Sequence, residues 1–281
     1  MAAGQVYNKM AFIIQARMES TRLPGKVMLP VPLESGIPLI RRIVDQLKNN
    51  HLGADIIVAT SQNTADDRLC KYCTDHEIQV FRGDEDDVLS RYITLINEYN
   101  YDVVIRCTGD NAILDIPAIE KTVHTHIRNQ NDYTCTKGLP IGMNVEVISG
   151  EVLTGLTGLN DITDADKEHV TLYLRNSAKF KKQEVIFSES TDLSNFRVTL
   201  DYPSDYAVIS ILLSLQEVLQ ITGLRLINHA MTHYPWLFSI NQDNYQKVSY
   251  HNQKEEITAA IKLLKSNGLS RAAELLGRKH D

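Results

Sequence analysis

The sequence predicts an α/β fold with a mostly parallel central sheet, and three observations carry that expectation. Short apolar runs recur through the first half of the chain. Stretches with apolar positions at helical spacing alternate with them, and each run ends abruptly in a polar loop holding glycine, proline or charge. Strands spaced by helices of about 10–15 residues read as βαβ units, whose crossovers set the strands parallel.

The first strand is Phe12–Ala16, led by Phe12-Ile13-Ile14, and a helix over Leu39–Leu47 follows. Next come strand Ile56–Thr60, a helix near Asp66–Thr74, strand Gln79–Phe81 and a helix from Asp86 to Glu98. Strand Val103–Cys107 precedes a helix from Pro117 to Arg128. Beyond Asp132 the pattern loosens into shorter strands, Asn144–Ile148 and Phe196–Leu200, with a helix around Lys167–Ser177 between them. Helices from Ser204 to Leu219 and near Arg225–His233 complete a domain over residues 1–250. Residues 251–281 form a C-terminal helical extension, whose stretch from Lys254 to Leu276 carries an apolar stripe of Ile257, Ile261, Leu264 and Leu275-Leu276.

The chain has 281 residues, 43% of them hydrophobic and 23% charged, an ordinary composition for one large domain plus an appendage. A net charge of −6 argues against nucleic acid as partner, so any phosphate recognition must be local. No apolar run approaches the roughly 20 residues of a membrane span. The opening stretch MAAGQVYNKM lacks the basic start and apolar core of a signal peptide, so the expected location is cytoplasmic. Cys70 and Cys73 have the spacing of a metal or redox pair but lie in a helical stretch with no second pair to match; with Cys107 and Cys135 they read as reduced structural thiols.

The informative stretch is FIIQARMESTRLPGK, from Phe12 to Lys26. Arg17, Arg22 and Lys26 crowd into the loop after the first strand, around a Pro24-Gly25 turn, where they repel one another unless a polyanion joins them. Gly25 lets main-chain amides approach such a guest closely. In open α/β sheets ligands bind at the carboxyl ends of strands, where this loop lies. It is not a Walker A loop, because Val27 follows Gly25-Lys26 and Ser20 stands where the leading glycine belongs. 

Three more strand ends carry charge. Arg82-Gly83 follows Gln79–Phe81 and suits a ligand contact, whereas Asp84, Glu85 and Asp86 suit an acidic first helical turn. Arg106-Cys107-Thr108-Gly109-Asp110-Asn111 ends the central strand, which places Asp110 to hold a hard cation such as Mg²⁺ beside phosphates. Asp201 closes Val198-Thr199-Leu200 and offers a second ligand, with Pro203 and Ser204 opening the next helix.

Taken in order, FIIQARMESTRLPGK, FRGDEDDVLSRY, VVIRCTGDNAILD, NVEVIS, DKEHVTLYLR and VTLDYPSDY resemble cytidylyltransferases of the spore-coat polysaccharide biosynthesis type, relatives of the enzymes that make CMP-sialic acid and CMP-Kdo. The resemblance covers about residues 10–210. It implies a nucleotide-diphospho-sugar-transferase-like (Rossmann-like) three-layer sandwich that moves CMP from CTP to a small acidic sugar-like acceptor and releases pyrophosphate. By the same resemblance Ala16, Arg17, Ser20, Arg22 and Lys26 cradle the triphosphate, with Arg17, Arg22, Lys26 and Asp110 catalytic. Asp110 and Asp201 hold Mg²⁺; Arg82, Thr108 and Gly109 lie near the nucleotide; Asn144, Glu146 and His169 face the acceptor; and the enzyme is a homodimer.

In-line attack on the α-phosphorus needs fixed positive charge for the departing pyrophosphate and no histidine or cysteine nucleophile. The sequence departs from the family pattern at Glu19, where glycine is usual, and at Asn111-Ala112, where a pair ending in proline is usual. Two rival readings share the composition: a glycosyltransferase binding metal through Asp84/Asp86 or Asp164/Asp166, and a non-catalytic nucleotide-binding subunit.

Overall fold

A computed structural model describes residues 9–187, 193–246 and 253–278. The first eight residues, which hold most of the opening stretch read above, and the expected boundary at residue 250 lie outside the described residues. The chain divides into a unit over Met1–Asp243 and a second over Asn244–Asp281.

In the first unit β1 (Met10–Gln15), α1 (Leu39–Leu47), β2 (Asp55–Ser61), α2 (Asp67–Asp75), β3 (Gln79–Gly83), α3 (Val88–Tyr99), β4 (Val103–Thr108) and α4 (Ile116–Asn129) alternate as expected. β5 (Tyr133–Lys137), β6 (Glu146–Ser149), α5 (Gly150–Gly155), α6 (Asp164–His169), α7 (Leu172–Asn176), β7 (Lys182–Ile186), α8 (Pro203–Leu219) and α9 (Gly223–His233) follow. The second unit contains α10 (Gln253–Ser266) and α11 (Ser270–Arg278), so the stretch read as one tail helix breaks at Gly268, whose φ of 74° no helix interior adopts. Among the described residues no single helix is long and apolar enough to cross a membrane.

The seven strands form one sheet in the order β3-β2-β1-β4-β6-β5-β7. Pairs β1–β2, β2–β3, β1–β4 and β5–β7 are parallel, and β6 runs antiparallel to both neighbours. Its period-two side chains sort into two cores. Phe12, Ile14, Val58, Val103 and Ile105 pack with residues of α1, α2, α4, α8 and α9, while Ile13, Ile57, Ala59, Val104 and Ile148 pack with α3, α5 and α7. Helices on both faces make the three-layer α/β sandwich. Successive strands spread outward from β1 on one side and β4 on the other, so the topological switch point falls between the carboxyl ends of β1 and β4.

Four stretches of the first unit differ from the sequence expectation. Phe196–Leu200 is no strand: Arg197 and Thr199 make only isolated bridges, to Ile141 and Asn111, because loops rather than strands flank it. The stretch Lys167–Ser177 is two helices, divided at a fully buried Val170 with φ 56° and ψ −54°. The Thr171 amide donates to the His169 carbonyl over 2.5 Å, closing a γ-turn there. β5 and β7 went unread, since Tyr133–Lys137 (YTCTK) and Lys182–Ile186 (KQEVI) lack an apolar run.

Candidate active site

The loop leaving β1 is fixed by main-chain bonds before any ligand arrives. The Ala16 amide donates to the Ala59 carbonyl at 3.1 Å, and the Gly25 amide donates to the Met18 carbonyl at 2.9 Å. Gly25 takes φ 69°, a left-handed turn that glycine permits, and Lys26 opens a short 3₁₀ turn over Lys26–Met28. Across the switch point, the Gly109 amide donates to the Gln15 carbonyl at 2.8 Å, and a Cβ on Gly109 would sit 2.9 Å from the Ala16 Cβ. Glycine is therefore what lets the ends of β1 and β4 touch.

The loop cations meet two carboxylates there, Asp110 just past β4 and Asp201 from the loop before α8. The Lys26 ammonium lies 2.8 Å from Asp110 Oδ2 and 2.8 Å from Asp201 Oδ1. Burial alone would lower the Lys26 pKa, but the charges of Asp110 and then Asp201 outweigh it and raise it. Burial alone would raise Asp110; the Lys26 ammonium and the Thr108 hydroxyl outweigh it and hold the carboxyl below the usual range. Arg22 reaches Asp201 Oδ1 at 3.1 Å, and its guanidinium lies 4.9 Å from the centre of the Tyr202 ring.

Asp201 is itself held from behind. Arg197, 3% exposed, donates from Nη2 to Asp201 Oδ2 at 2.7 Å and from Nε to Asp205 Oδ1 at 3.0 Å. Asp205 Oδ2 accepts the main-chain amides of Asp201 and Tyr202, each at 3.0 Å, and its Oδ1 accepts from Asn241 at 2.8 Å. A row of alternating charge thus runs from the buried Asp205, Arg197 and Asp201 to the half-buried Lys26 and Asp110.

On the β6 side, the Thr108 hydroxyl lies 2.5 Å from Asp110 Oδ1 and 2.8 Å from Asn111 Oδ1, and Asn111 donates to the Asn144 carbonyl at 3.4 Å. Asn144 is exposed. Glu146 accepts from Arg106 at 2.5 Å, from Tyr133 at 2.5 Å and from Thr171 at 2.8 Å. Burial pushes Glu146 up, but Arg106 first, then Tyr133 and Thr171, hold it below the ordinary glutamate value. The segment with His169 is joined to Glu146 through Thr171, two residues on.

Arg17 is exposed and makes no ion pair among the described residues; Ser20 is half-buried beside it, and Glu19 is exposed. Arg82 spends its donors on the Ser61 and Asn63 carbonyls and on Asp67, at 2.9, 2.8 and 2.7 Å, so it braces the loop after β2. Asp84 accepts the amides of Asp86 and Asp87, and Asp166 closes a capping box with Thr163, so each candidate Asp-x-Asp pair has one member engaged by its own main chain. All four cysteines are free thiols, with Cys73 and Cys107 each pushed up to about 12 by burial. Sequence reasoning missed Arg197 and Asp205 as members of these networks. The signal present for both was their flanking of Asp201 within FRVTLDYPSD.

A doubly wound α/β sheet whose first-loop cations meet carboxylates at its switch point suits a bound phosphate ester, and family membership makes the chain a nucleotidyltransferase. The chain belongs to the cytidylyltransferase family, whose profile it matches over residues 11–222. It is 35% identical over 207 residues to the spore coat polysaccharide biosynthesis protein SpsF of Bacillus subtilis, covering 73% of this chain and 86% of that protein. Among solved structures, a cytidylyltransferase from Leptospira borgpetersenii superposes with a TM-score of 0.74 at 26% identity, over 86% of this chain and 99% of that one. CMP:2-keto-3-deoxy-manno-octonic acid synthetase, solved with CTP, shares the fold at a TM-score of 0.58 and 15% identity, over 74% of this chain and 100% of that one.

Proposed function

We propose that this enzyme transfers CMP from CTP to a small acidic sugar-like acceptor, with Mg²⁺ and release of pyrophosphate, in the building of a surface polysaccharide or glycoconjugate. One observation carries the reading: the Lys26 ammonium stands where Asp110 and Asp201 converge, with Arg22 on the same Asp201 oxygen and the exposed Arg17 earlier in the same loop. This is a site already arranged for a cation among carboxylates, with further cations along the loop. The relative from Bacillus subtilis supports the polysaccharide setting by its name.

Arg22 and Lys26, held by Asp201 and Asp110, are preorganised donors for the charge that grows on the departing pyrophosphate, and the exposed Arg17 adds its charge from the same loop. The hard oxygen donors of Asp110 and Asp201 fit Mg²⁺, with substrate phosphates completing its shell, and the Lys26 ammonium marks their meeting point. Bound there, the metal neutralises charge on the triphosphate. Thr108 orients Asp110, and Arg197 orients Asp201. Asn144, the Arg106–Glu146 pair and the His169 segment lie on the side left for the acceptor, whose oxygen attacks the α-phosphorus in line. Consumption of CTP suits a cytoplasmic enzyme, and a homodimer belongs to the same reading through the family resemblance; light scattering reads that assembly directly.

The test is a thermal-shift series with CTP, GTP, UTP and ATP plus Mg²⁺ on the wild type and on Asp110→Asn. A ligand at 100 times its Kd stabilises by about 2.7 kcal/mol, which is readily seen. A CTP-selective, magnesium-dependent shift that weakens in the variant is expected, followed by pyrophosphate release with the right acceptor. Stabilisation by nucleotide-sugars alone sinks the reading.

A further inference from the structure

We propose that Asp66 is a positioning residue for the triphosphate-binding loop, a role that rests on the reading of that loop given above. Asp66 lies in the connection from β2 to α2, only 1% exposed, far in sequence from the loop it serves. Its carboxylate faces two ways. Oδ2 accepts from the Thr60 hydroxyl at 2.8 Å, the Ser61 amide at 3.0 Å and the Ser61 hydroxyl at 2.5 Å, which anchors it to the rigid end of β2. Oδ1 accepts the Met18 amide at 2.7 Å, in the middle of the loop that leaves β1.

Met18 passes that fixation on. Its carbonyl accepts the Gly25 amide at 2.9 Å, so the peptide groups on either side of Met18 tie Asp66 to the turn that launches Lys26. The path Asp66–Met18–Gly25–Lys26 therefore runs from a buried strand end to the ammonium between Asp110 and Asp201.

The donors to Asp66 are neutral: two hydroxyls and two main-chain amides. Among the described residues no cation donates a hydrogen bond to Asp66, although the buried Arg91 is near enough for its charge to be felt. A buried carboxylate is a costly way to satisfy a strand end, which a single amide or hydroxyl oxygen would also do. Only a group with two acceptor oxygens braces the strand and the loop at once. The hydrogen bonds offset the desolvation, and together they hold Asp66 below the usual aspartate range although burial acts to raise it. It therefore stays an acceptor on both sides at neutral pH.

Asp66→Asn keeps the shape but offers one acceptor oxygen, so either the strand or Met18 loses its partner. The experiment compares CTP and CMP affinities by calorimetry without acceptor. CMP lacks the phosphates that the loop would grip. Asp66→Asn is expected to weaken CTP by ~10-fold or more and CMP by less than ~3-fold. A paired control, Thr60→Val with Ser61→Ala, strips two bonds from Oδ2 but leaves Met18 held; its melting temperature should fall while the CTP-to-CMP ratio stays as in the wild type. An unchanged ratio in folded Asp66→Asn, or an equal loss of ratio in the control, overturns the proposal. If Asp66→Asn does not fold, Met18→Pro removes the amide that Asp66 accepts and also fixes the backbone there, so an unchanged ratio in that variant overturns the proposal equally. A wild type that prefers CMP or binds neither nucleotide removes the reading of the loop itself, a result distinct from either variant's.

Discussion

Lys26 and Asp110 follow different strands, yet the ammonium of one lies 2.8 Å from the carboxylate of the other. The same nitrogen reaches Asp201 at an equal distance, so one lysine neutralises two acids that would otherwise repel. Lys26→Met removes both this counter-charge and a donor to the triphosphate. Turnover with CTP should fall by ~10²–10³. On the proposed metal site, ligand-free enzyme should then bind Mn²⁺ more tightly than the wild type, because the cation no longer has to displace an ammonium. Manganese titration followed by electron paramagnetic resonance reads this, and equal affinity in the two proteins would count against the shared site.

Behind Asp201, Arg197 and Asp205 form a pair that is almost completely withdrawn from water, at 3% and 0% side-chain exposure. Arg197→Met leaves Asp201 and Asp205 buried without that cation. Breaking such a pair typically costs about 3–5 kcal/mol. The melting temperature should drop sharply, and activity at temperatures where the variant stays folded should drop too, since Asp201 loses its anchor. Full activity in folded Arg197→Met would show that Asp201 needs no such support.

These networks explain how far the sequence could be read. The parallel core was legible because Phe12–Ile14, Ile57–Ala59 and Val103–Ile105 are buried runs of strand length between helical patterns. The loop cations and Asp110 were legible because strand ends in such sheets are where ligands sit. Asp66 was not: its partner Met18 is 48 positions away, and an aspartate near a helix start reads as a cap. Arg197 lay within a supposed strand, a reading that gives no reason to join it to Asp201 and Asp205 further along the chain. Glu146 read as a residue facing the acceptor, whereas the fold also makes it the partner of Arg106 on the neighbouring strand.

The Arg106–Glu146 pair gives a pH signature. Glu146 has a folded pKa below its ordinary 4.5, so its contribution to stability is present above that value and is lost as pH falls through the folded value. Glu146→Gln leaves the Arg106 charge without its partner, and should melt well below the wild type at neutral pH. The gap should narrow only as the solution is taken well below the ordinary glutamate value, where the wild type comes to protonate the same carboxyl. Melting curves from pH 7 to pH 3 check this; a constant gap would mean that the pair contributes through packing alone.

Val170 offers the sharpest test of local strain. It is β-branched, fully buried, and held at φ 56° and ψ −54°, a backbone region in which such residues are genuine outliers. The turn it makes brings the Thr171 hydroxyl to Glu146 at 2.8 Å, which is a reason for the surrounding structure to hold it there. Replacing Val170 by alanine or glycine removes nearly the same buried side chain, so both variants should be less stable than the wild type. Their order is the informative part. In a helix or strand glycine is less stable than alanine by about 0.5–1 kcal/mol. Here alanine still carries the Cβ that disfavours positive φ, at a cost of about 1–2 kcal/mol, whereas glycine does not. Val170→Gly should therefore be more stable than Val170→Ala, by about 1 kcal/mol in chemical denaturation. The usual order, with alanine ahead, would place the strain elsewhere and leave the γ-turn as an incidental link between α6 and α7.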